Sequence, residues 1–259
     1  MAESRMGFLI DTSRCIACRS CQVACKQWNK LEADTTANHG SYENPGDLTP
    51  NLYNRIRFIE KADGGSMKWL FMNERCVHCG DAGCMKVCPA PGALYRTNEG
   101  FIVHNKEKCI ACKYCVFACP FGVPRYGADD KVSKCHLCYD RLGVGKPPAC
   151  AKACPTQTLQ YGPRNGLIAK VKAAKKTVYG EADLSGLGVL YVLDDKPEVY
   201  GLPANPSIPT AIFLWKDVVK PLGILGFWGS IAAVLFHYVT TGPKQIEEEN
   251  QKTGGDRHE

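Results

Sequence analysis

A chain of 259 residues can hold one large domain or two small ones, and 16 of its residues are cysteine. The cysteines fall into four groups of four with none left over, which excludes the scattered pairs of a disulfide scaffold and points to metal ligation. The formal charge of +6 does not indicate nucleic acid: an oxidised four-iron cluster with four thiolates carries roughly −2, so four of them bring the loaded chain to about −2. No interleaving of basic and aromatic residues for DNA or RNA is present, and no nucleic-acid partner is expected.

Met1–Ile10 has neither an apolar core of signal-peptide length nor a twin arginine, so taken alone it gives no export signal. Phe8, Leu9 and Ile10 read as a short buried strand. It delivers the first ligand run, Cys15, Cys18, Cys21 and Cys25, after which the chain is expected to continue helically through Trp28. Residues 29–74 read as a polar insert, mostly surface loop, broken by an alternating strand from Tyr53 to Ile59. The second run is Cys76, Cys79, Cys84 and Cys88, closed by Pro89, with four residues rather than two before its third thiol. His78 lies within it, and with four cysteines at hand it is expected to be a hydrogen-bond donor beside the ligands or a surface group. A hairpin-like pair, Ala93–Tyr95 and Phe101–Val103 with Gly100 at the bend, leads to the third run.

That run, Cys109-Ile110-Ala111-Cys112-Lys113-Tyr114-Cys115-Val116-Phe117-Ala118-Cys119-Pro120, is the cleanest of the four. A tight Cys-x-x-Cys-x-x-Cys loop can wrap three irons of a cubane with backbone amides turned toward the sulfurs, while a fourth thiolate arrives from elsewhere. Zinc and disulfides are the competing readings, but zinc usually takes two Cys-x-x-Cys pairs rather than a run of four closed by Cys-Pro. The fourth run, Cys135, Cys138, Cys150 and Cys154, tolerates an insert carrying Gly143, Gly145, Pro147 and Pro148. Thr156–Tyr161 reads as a strand pairing with the amino-terminal one, Gly166–Tyr179 as a basic amphipathic helix packed on the core, and Leu187–Leu193 as a strand. Strand, ligand loop and Cys-Pro recur, so the reading is an α+β fold: a nested ferredoxin-like domain over residues 1–200, including a peripheral helix and strand at 163–200, with four [4Fe-4S] clusters. Fully ligated cubanes leave no open iron for substrate, so such a row has one evident use, moving single electrons.

A proline-rich linker at 201–216 precedes a transmembrane helix at 217–240, since Pro221–Val239 lacks charge unless His237 is protonated, and a polar tail at 241–259 follows. Gly226, Gly229, Ser230, Ala233 and His237 share one helix face, where small side chains admit a neighbouring helix and His237 is a candidate contact to a membrane partner. Lys216 and Lys220 before the span and Lys244, Lys252 and Arg257 after it leave sidedness open.

Together, the four runs and the tail resemble the iron–sulfur beta subunits of respiratory formate dehydrogenases, within the wider family of electron-transfer subunits of molybdopterin oxidoreductases. The runs mark only the wider family. Gly201-Leu202-Pro203, Leu214-Trp215-Lys216, Lys220-Pro221-Leu222, Phe236-His237-Tyr238 and Gly242-Pro243 carry the narrower likeness. Related nitrate reductase subunits hold a three-iron cluster with tryptophan at one position of the third run; Cys112 stands there in this chain, favouring four complete cubanes. The runs' spacing also allows consecutive pairing, but the resemblance implies nested ligand sets: Cys15, Cys18, Cys21 and Cys154 (set A); Cys25, Cys135, Cys138 and Cys150 (set B); Cys76, Cys79, Cys84 and Cys119 (set C); and Cys88, Cys109, Cys112 and Cys115 (set D). It implies a catalytic alpha subunit with a molybdenum or tungsten bis-pterin site oxidising formate, and a membrane cytochrome b gamma subunit reducing quinone. It further implies single-pass residence in the cytoplasmic membrane, the iron–sulfur domain on the periplasmic side by export with the catalytic subunit, with the cytoplasmic face as the alternative. Competing functions are the same wiring for a sulfur-compound or nitrate reductase or a hydrogenase, and, more remotely, a structural zinc protein.

Overall fold

The computed structural model describes residues 5–38 and 40–254, with side chains described as far as Thr241. Residues 255–259 of the expected polar tail, and Met1–Ser4 of the amino terminus, lie outside the described residues. The chain forms two compact units that meet between Pro209 and Thr210.

The first unit grows from strand β1, Met6–Asp11. Its apolar residues are buried on both faces: Phe8 and Ile10 face the main core, while Leu9 faces a smaller core of Leu167, Ile168, Val171, Leu190 and Val192. A short turn at Thr12–Arg14 follows, and then helix α1 at Ser20–Trp28, as expected from the sequence. Strands β2, Asn54–Asp63, and β3, Ser66–Arg75, form an antiparallel hairpin. Most of the segment from Asn54 onward is therefore sheet, although the sequence suggested surface loop beyond Ile59. Gly64 and Gly65 close the hairpin with φ of 56° and 91°, a backbone that other residues resist.

Helix α2, Gly83–Lys86, strands β4, Leu94–Arg96, and β5, Ile102–His104, and helix α3, Tyr114–Phe117, build an inner unit. Strands β6, Arg125–Tyr126, and β7, Val132–Ser133, complete it. The chain then returns through helices α4, Tyr139–Leu142, and α5, Ala149–Lys152, to strand β8, Leu159–Pro163, which pairs antiparallel with β1. One ferredoxin-like unit is thus nested inside another, and helix α1 packs on α5 across the outer one.

Helix α6 runs Arg164–Ala173 rather than Gly166–Tyr179. It ends early because Lys175 adopts φ of 56° and the Lys176 N–H closes back on the Val171 carbonyl, capping the helix. Strand β9, Val189–Val192, lies parallel to β1 on its other edge. The stretch read as linker is irregular up to Pro209 but fastened at its start, where Leu202 is buried and the Tyr179 hydroxyl donates to the Pro203 carbonyl at 2.7 Å, and from Ala211 it is already helix.

In the second unit, helix α7, Ala211–Leu214, passes through a π turn at Trp215–Val219 into helix α8, Lys220–Gly254. Pro221 explains the wider turn, since its ring lacks an N–H and crowds the carbonyl four residues back, at Asp217. The continuous apolar helix Ala211–Thr241 has 31 residues and mean hydropathy of 1.7. At 1.5 Å per residue it is about 46 Å long, enough to cross a hydrocarbon core of about 30 Å.

Leu190 is fully buried where β9 meets α6, away from the ligand loops. Leu190→Ala is expected to destabilise the first unit by about 2–5 kcal/mol, the usual range for a buried leucine, with iron content retained. Anaerobic thermal unfolding, followed through cluster absorbance beside an iron assay, measures both.

Candidate metal centres

The ligand loops share an unusual backbone. Ala17, His78, Ala111 and Leu137, each two residues after the first cysteine of its run, have φ between 49° and 59°. Arg19, Lys113 and Cys138 add further left-handed positions at φ of 59°, 61° and 50°. Alternating right- and left-handed residues turn successive N–H groups toward one point and create an anion-binding concavity. A non-glycine residue held this way costs about 1–2 kcal/mol.

The loops bring thiols of distant runs together. Cys15, Cys18, Cys21 and Cys154 border one cavity. Cys76, Cys79, Cys84 and Cys119 border another, and Cys88, Cys109, Cys112 and Cys115 a third. Cys25 lies close enough to Cys135, Cys150 and Cys138 for their charges to act on it, and all four are buried. Single helical turns link the sets: α1 carries Cys21 and Cys25, and α5 separates Cys150 from Cys154. Likewise α2 lies between Cys79 and Cys88, and α3 between Cys112 and Cys119.

Burial pushes the Cys21, Cys84 and Cys138 thiols up to about 12, and Cys115 up to about 11. Protein donors oppose that penalty. Asn73 Nδ2 donates to Cys21 Sγ at 3.3 Å, and the Tyr126 hydroxyl lies 3.1 Å from Cys115 Sγ. Burial also raises Cys154, but N–H groups of Leu159, Thr158 and Thr156, with the Thr156 hydroxyl, outweigh it and hold that thiol below its ordinary value. Arg75 donates through Nη1 to Cys150 Sγ at 3.2 Å and through Nη2 to Cys135 Sγ at 2.9 Å. Burial disfavours its charge, yet Cys135 and Cys150 more than compensate and raise its pKa.

His78 is fully buried, so the surface alternative does not hold. Its Nδ1 accepts the Ile102 N–H at 3.0 Å, which places the proton on Nε2. That nitrogen meets no protein acceptor, and the imidazole lines the cavity of Cys76, Cys79, Cys84 and Cys119. Among the described residues no three His, Cys, Asp or Glu side chains converge as a single ion requires. Four sulfurs at about 2.3 Å from one zinc would converge in that way. Quartets spread around cavities, ringed by N–H donors, fit multi-atom anionic clusters.

His237, the remaining candidate, sits on α8 with its Nδ1 3.3 Å from the Thr241 hydroxyl. The sequence did not single out Asn73, Arg75, Tyr126 or Lys134. Gly64-Gly65 between apolar-rich stretches was the signal that would have exposed β3, and with it Asn73 and Arg75.

Two models described as 4Fe-4S dicluster domains match residues 14–91 and 67–164, and one described as the formate dehydrogenase N transmembrane domain matches residues 208–251. Over 99% of its length the chain is 40% identical to the nitrate-inducible formate dehydrogenase iron–sulfur subunit of Escherichia coli (strain K12), of which it covers 91%. It is also 40% identical over 99% of its length to the formate dehydrogenase-O iron–sulfur subunit of the same organism, covering 90% of that protein. Identity to the formate dehydrogenase iron–sulfur subunit of Haemophilus influenzae is 39%, over 97% of this chain and 88% of the relative. Two dicluster domains and 16 cysteines accommodate four [4Fe-4S] clusters.

Two partly buried histidines set an acid limit. Burial holds His136 down to about 4 and His104 down to about 3, against an ordinary value of 6.5. Below pH 6.5 the unfolded chain takes up protons that the folded chain refuses, so stability present above that pH declines as pH falls toward 4, by about 1 kcal/mol per pH unit and histidine. The Asn29 Oδ1 accepts from His136 Nε2 at 2.7 Å, a contact that glutamine can imitate without titrating. His136→Gln is expected to make the fall in thermal midpoint between about pH 7 and about pH 5 shallower than in the unmodified protein.

Proposed function

The chain belongs to the family of formate dehydrogenase iron–sulfur subunits, and on that premise we propose that it carries electrons from a formate-oxidising catalytic subunit to a membrane partner. The observation that carries this reading is the likeness along the whole chain, anchor segment included. The ligands are sets A, B, C and D as given above, and support for them is the grouping of those thiols around shared cavities and under one another's charge. When bound, the clusters supply one-electron acceptance and release.

This chain's residues hold, bury and connect. The left-handed loop positions turn amides toward each cavity, and α1 holds Cys21 of set A and Cys25 of set B about 6 Å apart along its axis. Cys21 feels the charge of Cys150, and Cys84 that of Cys115, so neighbouring sets adjoin. With every site closed by four thiolates, the chain converts no substrate of its own. The catalytic partner is a molybdenum or tungsten bis-pterin subunit, and the acceptor a cytochrome b in the cytoplasmic membrane, where Ala211–Thr241 is the single span and residues 217–240 its core. The iron–sulfur domain, residues 1–200 with its extension to Pro209, faces the periplasm, and His237 contacts the membrane partner.

The test is the anaerobically isolated membrane complex, with identification of its largest subunit. It is expected to hold at least about one iron per cysteine in this chain, as four-thiolate cubanes require, beside the haem iron of the cytochrome, and no zinc. Cys135→Ser is expected to leave formate oxidation by an artificial dye acting at the catalytic subunit, and to cut formate-driven quinone reduction at least tenfold. Undiminished quinone reduction, or a largest subunit without formate activity, overturns the reading. His237→Ala is expected to slow quinone reduction at unchanged iron content; an unaltered rate removes that residue from the membrane contact.

A further inference from the structure

Two cations lie in the interior where sets B and C adjoin. Arg75 and Lys134 are each only 2% exposed. The neighbouring Arg55 on β2 shows the ordinary arrangement, paired with the carboxylates of Glu43 and Glu74. Among the described residues Arg75 and Lys134 form no such pair. They point instead at sulfur.

Their placement is reciprocal. Arg75 ends β3 immediately before Cys76, the first thiol of set C, yet its guanidinium donates to Cys135 and Cys150 of set B. Lys134 follows β7 immediately before Cys135, a thiol of set B, yet its ammonium reaches Cys76 of set C, with Nζ 3.7 Å from Sγ. Each is fixed by other contacts. The Phe8 ring lies 4.4 Å from the Arg75 guanidinium carbon, and Lys134 Nζ donates to the Ile102 carbonyl at 2.5 Å and the Cys135 carbonyl at 3.2 Å. The positive charge of Arg75 also acts on Cys21, Cys25 and Cys138, and that of Lys134 on Cys84 and Cys119.

We propose that Arg75 and Lys134 are a crossed pair of fixed charges that raise the reduction potentials of the two inner centres, Arg75 for the cluster of set B and Lys134 for that of set C. The inference rests on the ligand sets proposed above. Reduction adds one negative charge to a cluster, and a desolvated cation hydrogen-bonded to its thiolates favours the reduced form. Among the described residues no arginine or lysine side chain donates to a thiol of the outer sets: Asn73 at Cys21 and Tyr126 at Cys115 donate hydrogen bonds without charge. The two inner centres are therefore electron-rich relative to a row of identical clusters, so an electron entering at either end is drawn inward, and the junction between the two nested units is not a barrier.

The test is a potentiometric titration of the intact anaerobic complex, with each reduced centre followed by its paramagnetic spectrum. Arg75→Met is expected to lower the midpoint of one centre, the one that Cys135→Ser alters. At the unmodified midpoint its reduced-to-oxidised ratio falls at least tenfold, equivalent to about 59 mV for a one-electron couple. Arg75→Lys restores most of that shift. Lys134→Met is expected to do the same to the centre that Cys76→Ser alters, and it carries the test unaided if Arg75→Met fails to load iron. Full iron content with all midpoints unmoved overturns the proposal and leaves the ligand sets standing. A fall that lysine at position 75 does not relieve also overturns it. A tenfold shift at a centre other than the one altered by Cys135→Ser overturns the ligand assignment and leaves the charge effect in place.

Discussion

Negative charge held in a dry interior is the constraint on which this structure depends. Thiolates and inorganic sulfide concentrate charge where water is excluded, and an unpaired buried charge costs several kcal/mol. The chain answers with N–H groups first and cations second. Seven non-glycine residues in the ligand loops adopt left-handed backbone: Ala17, Arg19, His78, Ala111, Lys113, Leu137 and Cys138. At about 1–2 kcal/mol each, their strain is as large as the whole net stability of a typical domain, about 5–15 kcal/mol. Cluster binding has to offset that strain, so folding and metal loading are one process in this chain.

The topology follows from the same demand. Cys21 and Cys25 lie one turn apart on α1 and join different groups of thiols: Cys21 lines the cavity of Cys15, Cys18 and Cys154, while Cys25 lies among Cys135, Cys138 and Cys150. Cys84 on α2 and Cys88 just beyond it divide in the same way between two cavities. The hairpin β2–β3 then lays polar residues of one strand face against the sulfurs, Asn73 toward Cys21 and Arg75 toward Cys135 and Cys150. Only extended backbone presents alternate side chains at the right interval to reach two centres, and that accounts for a strand where the composition suggests a loop.

Features whose spacing is imposed by chemistry were legible in the sequence. Cluster size dictates the cysteine intervals, burial on both faces dictates the unbroken Phe8-Leu9-Ile10, and bilayer thickness dictates the length of the last helix. Strand β3 was not legible beyond its apolar middle. Lys68, Asn73, Glu74 and Arg75 interrupt the alternation, and Asn73 and Arg75 are polar because they serve thiols rather than solvent. The burial of His78 was invisible for a related reason: its imidazole is held by an N–H from Ile102, a contact 24 residues distant. The early end of α6 was hidden because Lys175 takes a backbone conformation that its residue type does not announce.

Burial along the row also bears on how the sets can be used. All four thiols of set B are buried, whereas set A reaches the surface at Cys18. Ile16 and Ile110, each 61% exposed, and Phe117, 66% exposed, stand in the loops of sets A and D, apolar side chains of the kind that partner contact covers. Electron transfer weakens with the thickness of protein between donor and acceptor, so a group of thiols enclosed on every side exchanges with another protein less readily than one that reaches the surface. The enclosed group suits an inner link of a row better than an end of it, and there the charges packed against its sulfurs bear on the flow along the whole row.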